Sequence, residues 1–363
     1  MQHTRRDVLR AGCTVPVIAL AGCADVLAVI GEDGSHPYHE YIPQDGANDD
    51  EGVYFIHIDA SWLREYDDEE ELPYADQLPG AVSVDFDPTT PIFDVDPMVG
   101  YPAAGLGKAA LKVIFGLLPY GFADPVFESF GEEALDDVEA SHDGDDVDLD
   151  DEADNEIDGS VDVDSILVVD GVVVVRGSFD ARTIVAASSE FDPAGERHGF
   201  DVYEGARDAF PSTVGKSFAV RDDELIALLD EDSDIDAIID SAAGEIDRVT
   251  DDDDGEWMLQ TASADGITVG VWGVEPDDDS ENLEFIGTQN LTDDALGFVT
   301  SLTLGPEEGV GTFAAPFPQG QVPPESEVWS QIGTSATERE VSIEDNRITV
   351  EAVWQSVDEA DDE

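Results

Sequence analysis

The chain has 363 residues, with 87 Asp and Glu against 15 Lys and Arg, and a formal net charge of −72. Such a polyanion excludes nucleic acid as a partner, because phosphate backbones are held by cationic side chains. Two cysteines exclude a disulfide framework, and a hydrophobic content of 41% exceeds that of a fully disordered chain. The length is sufficient for one large domain or two smaller ones.

The distribution of charge indicates adaptation to concentrated salt. Acidic residues occur along the whole chain, and after residue 22 the only lysines are Lys108, Lys112 and Lys216. Self-repulsion of this charge favours an expanded chain in dilute buffer. At about 1 M salt the Debye length falls to about 3 Å, so most of the repulsion is screened. We therefore expect a halophilic protein.

The first 23 residues have the organisation of an export signal. A charged segment containing Arg5 and Arg6 precedes an apolar stretch over residues 11–22, which ends in small residues. The paired arginines resemble the signal that the twin-arginine export machinery recognises. The residues before Cys23 resemble a lipobox, and they are Leu20, Ala21 and Gly22.

Together with the composition, these two motifs resemble those of exported lipoproteins of extremely halophilic archaea. The resemblance covers about 25 residues by motif, and it implies location, not activity. It implies cleavage before Cys23, a diacylglyceryl group on its thiol, and a place on the extracellular face of the membrane. Cys13 departs from the lipobox pattern because Arg10 stands where leucine is required. The alternative is an uncleaved anchor helix over residues 11–30, which is long enough to span a bilayer.

Composition shifts predict the domain boundaries. Residues 132–164 carry 17 acids and neither Lys nor Arg, which predicts an acidic linker or disordered loop. The predicted parts are a signal peptide (1–22), a lipidated N-terminus and flexible tether (23–52), a first α+β part (53–131), the acidic linker (132–164), a second α+β part (165–357) and an acidic tail (358–363).

In the first part, period and composition predict a strand over 53–59, a short helix over 61–66 and a strand over 81–86. Apolar residues at helical spacing predict a helix over 103–118, which Pro119 ends. An acidic helix is predicted over 124–139.

In the second part, Asp170-Gly171 separates two apolar runs and predicts a hairpin over 165–176. Its apolar residues are consecutive, which favours a central hairpin covered on both faces. Helices are predicted over 180–189, 234–249 and 325–332. Strands are predicted over 200–204, 217–220, 224–228, 257–263, 267–274, 284–289, 299–304, 312–317, 340–343 and 348–354. This order predicts an α+β fold of mixed, mainly antiparallel sheets with a few amphipathic helices, and is compatible with two similar α+β units.

Calcium is the one cofactor that the sequence suggests. A run in the acidic linker partly matches a calcium-binding loop, but Ser165 stands where a bidentate glutamate is needed. A hydrated loop without specific metal binding explains the same pattern. The candidate ligands are Asp154, Glu156, Asp158 and Asp162.

Lys108 and Lys112 lie one turn apart on the most apolar predicted helix. They could contact anionic lipid headgroups with extended side chains, or dock against a partner. Alternatively, the helix is buried and its lysines reach nearby carboxylates. His57, in the middle of a predicted strand, is interpreted as a structural histidine.

No motif for nucleophilic or metal-dependent catalysis is complete in this sequence, and 87 carboxylates make acid pairs uninformative. The leading hypothesis is a non-enzymatic, lipid-anchored binding or envelope accessory module of unknown ligand, with an envelope protein as a candidate partner. The alternatives are a solute-binding lipoprotein of a transporter and a secreted, cation-assisted hydrolase.

Overall fold

One antiparallel sheet organises the residues that the computed structural model describes. Those residues are 36–47, 52–65, 96–117, 162–178, 181–187, 191–205, 217–221, 223–230, 233–273, 294–305 and 308–355. Within them the strands are β1 (Val53–Asp59), β2 (Asp162–Val169), β3 (Val172–Ser178), β4 (Phe191–Arg197), β5 (Phe200–Gly205), β6 (Ser217–Arg221), β7 (Glu224–Leu228), β8 (Ile267–Trp272), β9 (Gly297–Leu304), β10 (Glu308–Pro316), β11 (Glu338–Glu344) and β12 (Arg347–Gln355).

Six α-helices accompany the strands in the same ranges. They are α1 (Ala60–Glu65), α2 (Pro97–Leu117), α3 (Ala181–Ala187), α4 (Ile235–Ala243), α5 (Asp253–Thr261) and α6 (Glu325–Gln331). Short 3₁₀ turns cover Pro37–Tyr41 and Val249–Asp251. The predicted class is therefore confirmed as α+β with mainly antiparallel pairing.

The strand order is β11-β12-β10-β9-β8-β1-β2-β3-β7-β6-β5-β4. The sheet has two halves, which meet where β1 pairs with β8. Each half begins with three consecutive strands side by side, β1–β3 in one and β8–β10 in the other. The remaining strands of each half follow so that the last of them in sequence pairs with the third. The returning strand is β7 beside β3 in one half and β12 beside β10 in the other. Chain contacts divide the protein into residues Met1–Pro37 and Tyr38–Glu363, and the whole sheet belongs to the second unit.

Both faces of the central strands are buried, because side chains alternate between two separate cores. Residues Val172–Val175 are all at most 1% exposed, which confirms the predicted two-sided burial of the hairpin. One core contains Ile56, Val168, Val269 and Phe313 together with residues of α1, α2, α3 and α6. The other contains Phe55, Val174 and Val299 together with residues of α4 and α5.

Helix α2 begins six residues before the predicted start, because Asp96 caps it. The Asp96 carboxylate accepts hydrogen bonds from the backbone N–H of Met98 (3.2 Å), Gly333 (2.9 Å) and Ser335 (2.8 Å). The cap therefore also fixes α2 to the loop between α6 and β11. Among the described helices, none combines the length and hydropathy needed to cross a membrane.

The strand predicted over 257–263 is wrong, since these residues belong largely to α5. Asp252 caps this helix by accepting from the N–H of Asp254 (2.8 Å) and Gly255 (3.2 Å). Met258 and Leu259 are fully buried on one side of it. A short apolar run is compatible with either a strand or a helix, and here the N-terminal cap favours the helix.

Other departures from the predictions lie at segment ends. Residues 38–47, inside the segment predicted as a flexible tether, place Tyr38, Tyr41 and Ile42 in the second core because these side chains are large and apolar. Strand β2 begins at Asp162, within the predicted linker, and β4 was missed because it contains Pro193 and Gly195. The elements predicted over 81–86, 124–139 and 284–289 lie outside the described residues.

Candidate functional site

Helix α2 packs against β1 and β8 and carries Lys108 and Lys112. Gly105 allows the close approach of α2 to the sheet, since a Cβ there would lie 2.5 Å from Val269 Cγ2. One turn further on, Lys108 Nζ lies 4.9 Å from the centroid of the Tyr54 ring. Lys108 and Lys112 are both half-buried. Lys108 therefore packs against a central strand, and Lys112 lies one helical turn further along α2.

Two carboxylates act on Lys112. Burial lowers the pKa of Lys112, while Asp230 and Asp170 act in the opposite direction and favour its charged form. For Lys112 this agrees with the third alternative drawn from the sequence, in which lysines of a packed helix reach nearby carboxylates. Contact of Lys108 and Lys112 with lipid or with a partner stays a prediction.

Tyr54 of β1 is the residue on which Lys108 packs, and Tyr54, Lys108 and Lys112 are treated as one cluster. Its side chain is 4% exposed, and its hydroxyl has no hydrogen-bond partner among the described residues. Burial raises its pKa, and the nearby Asp170 carboxylate adds to the shift. Sequence reasoning missed Tyr54, although a tyrosine at the second position of an otherwise apolar strand was the available signal.

Asp170 fixes the position of Tyr54. It occupies the hairpin turn with φ of 44°, a conformation that aspartate tolerates better than most residues. Its carboxylate accepts from the N–H of Tyr54 (2.9 Å) and of Ala47 (3.0 Å), and its carbonyl accepts from the Ser233 hydroxyl. The side chain of this one residue thus joins the central hairpin to two other segments, and its carbonyl joins it to a third.

A second group of polar rings lies on the opposite face of β1. The ring of His57 stacks on Tyr38 at a centroid distance of 4.1 Å, and His39 meets the edge of Tyr38 at 4.5 Å. His57 and His39 are 5% and 2% exposed. This burial within the core agrees with the structural interpretation of His57.

A third group surrounds the fully buried Glu224. Its carboxylate forms ion pairs with Arg221 and with Arg176, the latter at 3.1 Å. The Arg221 guanidinium stacks on Phe200 at 4.4 Å and donates to the Tyr41 hydroxyl at 3.4 Å. A buried carboxylate is tolerated here because two guanidinium groups compensate its charge.

Two further arginines bind the carbonyl ends of helices. Arg248 donates to the carbonyls of Ser241 (2.7 Å) and Ala242 (2.9 Å) at the end of α4. Arg339 donates to those of Ile332 (2.6 Å) and Trp329 (2.7 Å) at the end of α6. Positive charge at a helix C-terminus is favourable. Arg339 therefore fixes α6 to β11, and Arg248 fixes the end of α4 to the segment that follows it.

Most of the other predicted site residues cannot be placed. Arg5, Arg6, Leu20, Ala21, Gly22 and Cys23 lie outside the described residues, as do Asp154, Glu156 and Asp158. Asp162 is the first residue of β2 and pairs with Ser178. Across the part of the chain that the structure describes, no group of three or more metal-ligating side chains occurs.

Comparison with known proteins finds no matching family model and no matching curated protein. Among solved structures, the chain is similar to crystal forms I, III and IV of TP0453, with sequence identities of 13%, 12% and 11%. Each covers 53% of this chain and 75–76% of TP0453, with TM-scores of 0.32–0.33. At these TM-scores the similarity carries no argument about fold or function.

Proposed function

We propose that this chain is a lipid-anchored extracellular protein of a halophile that acts as a non-enzymatic binding or envelope accessory module. The observation that carries the proposal is the use of buried charge in the described interior. Asp96, Asp170 and Glu224 each join separate segments through backbone N–H groups or guanidinium groups. Buried charges used in this way stabilise a rigid scaffold, and a rigid scaffold leaves recognition to its surface.

The location follows from the sequence motifs. Arg5 and Arg6 resemble a twin-arginine signal, and Leu20–Cys23 resembles a lipobox. A twin-arginine route exports folded cargo, which suits an acidic chain that folds in concentrated salt. A diacylglyceryl group on Cys23 would hold the folded unit at the membrane, since two acyl chains give stable anchoring.

We also infer that the sheet consists of two similar α+β units that meet at β1 and β8. The support is their shared connectivity, in which three adjacent strands are followed by a helix and a returning set of strands. In this proposal, two similar α+β units together form the scaffold that presents the binding surface.

Thermal unfolding of the full chain in multimolar potassium chloride tests the proposed class. We expect pooled sugars, amino acids and peptides to leave the Tm unchanged, and EDTA to leave it unchanged as well. A ligand that binds the native state raises the Tm by mass action. A rise with one pool would instead indicate a solute-binding lipoprotein, and a fall with EDTA would indicate a cation-dependent protein such as the hydrolase.

A further inference from the structure

The cluster of Tyr54, Lys108 and Lys112 differs from the other charged groups of the described interior. Glu224, Asp96 and Asp170 have their oxygens engaged by arginine or backbone N–H groups. The Tyr54 hydroxyl, by contrast, is buried and has no hydrogen-bond partner among the described residues. A buried hydroxyl without a partner costs stability, and a bound ligand that accepts its hydrogen bond would offset that cost.

Helix α2 supplies two donors on the side of Tyr54, and the Asp170 carboxylate is the nearby acceptor. Lys108 Nζ lies 4.9 Å from the centroid of the Tyr54 ring, and Lys112 follows one helical turn later. Each ammonium has three N–H donors, so it can hold an anion in addition to a nearby carboxylate. Both carboxylate oxygens of Asp170 already accept from the backbone of Ala47 and Tyr54.

The charge of the whole chain makes this cluster distinctive. A net charge of −72 repels anions from most of the surface, and two of the three lysines after residue 22 lie here. Half-buried ammonium groups in a partly desolvated place bind an anion more strongly than exposed ones do.

We propose that Tyr54, Lys108 and Lys112 form a binding site for a phosphate group, whose oxygens accept from the two ammonium groups and the phenol hydroxyl. A phosphate offers several acceptor oxygens and up to two negative charges, which suits three donors that carry two positive charges. The phosphate group belongs either to the free ion or to a lipid headgroup. The inference rests on the proposed binding function and names the chemical class of its ligand.

The test is thermal unfolding of the full-length protein in multimolar potassium chloride with increasing inorganic phosphate. The variants are Tyr54→Phe and Lys112→Met, with Lys216→Met as the control for removal of one lysine. We expect a saturable rise in Tm for the wild type and for Lys216→Met, and no rise for Tyr54→Phe or Lys112→Met. Without phosphate, Tyr54→Phe should have a higher Tm than the wild type, because the unpartnered hydroxyl is gone.

Sedimentation with phosphatidylglycerol vesicles separates the two sources of phosphate. It is performed on Cys23→Ala protein, so that an acyl anchor makes no contribution. If free phosphate has no effect and vesicle binding is lost with Tyr54→Phe and Lys112→Met but kept with Lys216→Met, the ligand is a headgroup. A Tyr54→Phe Tm that is unchanged or lower without phosphate overturns the site, as does phosphate or vesicle binding that all variants share. The phosphate titration needs no membrane, so failure of the anchoring proposal would leave its result unaffected.

Discussion

Asp170 illustrates how a single residue sets the geometry at the centre of the sheet. The Asp-Gly pair predicts the turn, but the sequence does not show that the aspartate carboxylate is buried and accepts two backbone N–H groups from distant segments. The same residue also raises the pKa of Tyr54 and favours the charged form of Lys112. Turn geometry and electrostatics of the candidate site therefore depend on one side chain.

Replacing Asp170 with Ala should be far more costly than the same change at Asp345. Both residues have positive φ in hairpin turns, at 44° and 55°, but Asp345 is exposed. Hydrogen bonds to a charged group contribute about 1.5–3 kcal/mol each, so we expect Asp170→Ala to lower the free energy of unfolding by about 3 kcal/mol or more. Asp345→Ala should cost about 1 kcal/mol for the backbone conformation alone. Denaturant unfolding in concentrated salt measures both, and equal losses would contradict the account.

Lys112 should make stability depend on alkaline pH. Its lowered pKa means that the native state binds fewer protons than the unfolded state between that pKa and the ordinary lysine value of about 10.4. Stability rises with pH wherever the unfolded state binds more protons, so this contribution should rise across that window. Lys112→Met should remove it, whereas Lys216→Met is the comparison variant. Unfolding measured as a function of pH would refute this if the two variants kept the same slope.

At the level of elements, the helices show what sequence patterns predict and what they miss. The helical period located α2 and α4, and the Asp-Gly turn located the central hairpin. The short apolar run around Met258 was predicted as a strand. Its helix depends on the Asp252 cap and on packing against Val249, and the hydrophobic pattern shows neither. In the Tyr54–Lys108–Lys112 cluster, the sequence predicted the importance of the two lysines. It could not predict that Tyr54 lies beside them, because that contact depends on how α2 packs on β1.

Glycine-to-alanine changes in two helices test this packing. Within a helix, such a change ordinarily stabilises by up to about 1 kcal/mol. A Cβ at Gly105 would lie 2.5 Å from a methyl group of Val269, and one at Gly255 would lie 2.3 Å from the Val249 carbonyl oxygen. We expect both variants to be destabilised, by about 1–3 kcal/mol for Gly105→Ala and by more for Gly255→Ala, because a backbone atom yields less than a side chain. Stabilisation of either variant, measured by denaturant unfolding, would show that the helix packs differently.

At the scale of the whole molecule, net charge governs the conditions under which the fold exists. The described arginines bind carbonyl groups and carboxylates at fixed positions, but they are few against 87 acids. Screening by salt is therefore required to balance the remaining repulsion.

Circular dichroism at decreasing potassium chloride should show loss of the fold below about 1 M salt, where the Debye length exceeds about 3 Å. The Tm should fall steadily before that point. Full ellipticity and an unchanged Tm in dilute buffer would contradict adaptation to concentrated salt.

Membrane fractionation of cells that express the full chain in concentrated salt tests the central claim most directly. Cys23→Ala is compared with Cys13→Ala, which removes the other cysteine and leaves the lipobox intact. The lipoprotein account predicts that Cys23→Ala releases the folded protein from membranes, while the wild type and Cys13→Ala remain bound. Retention of all three on the membrane would contradict lipid anchoring and favour an uncleaved helix over residues 11–30.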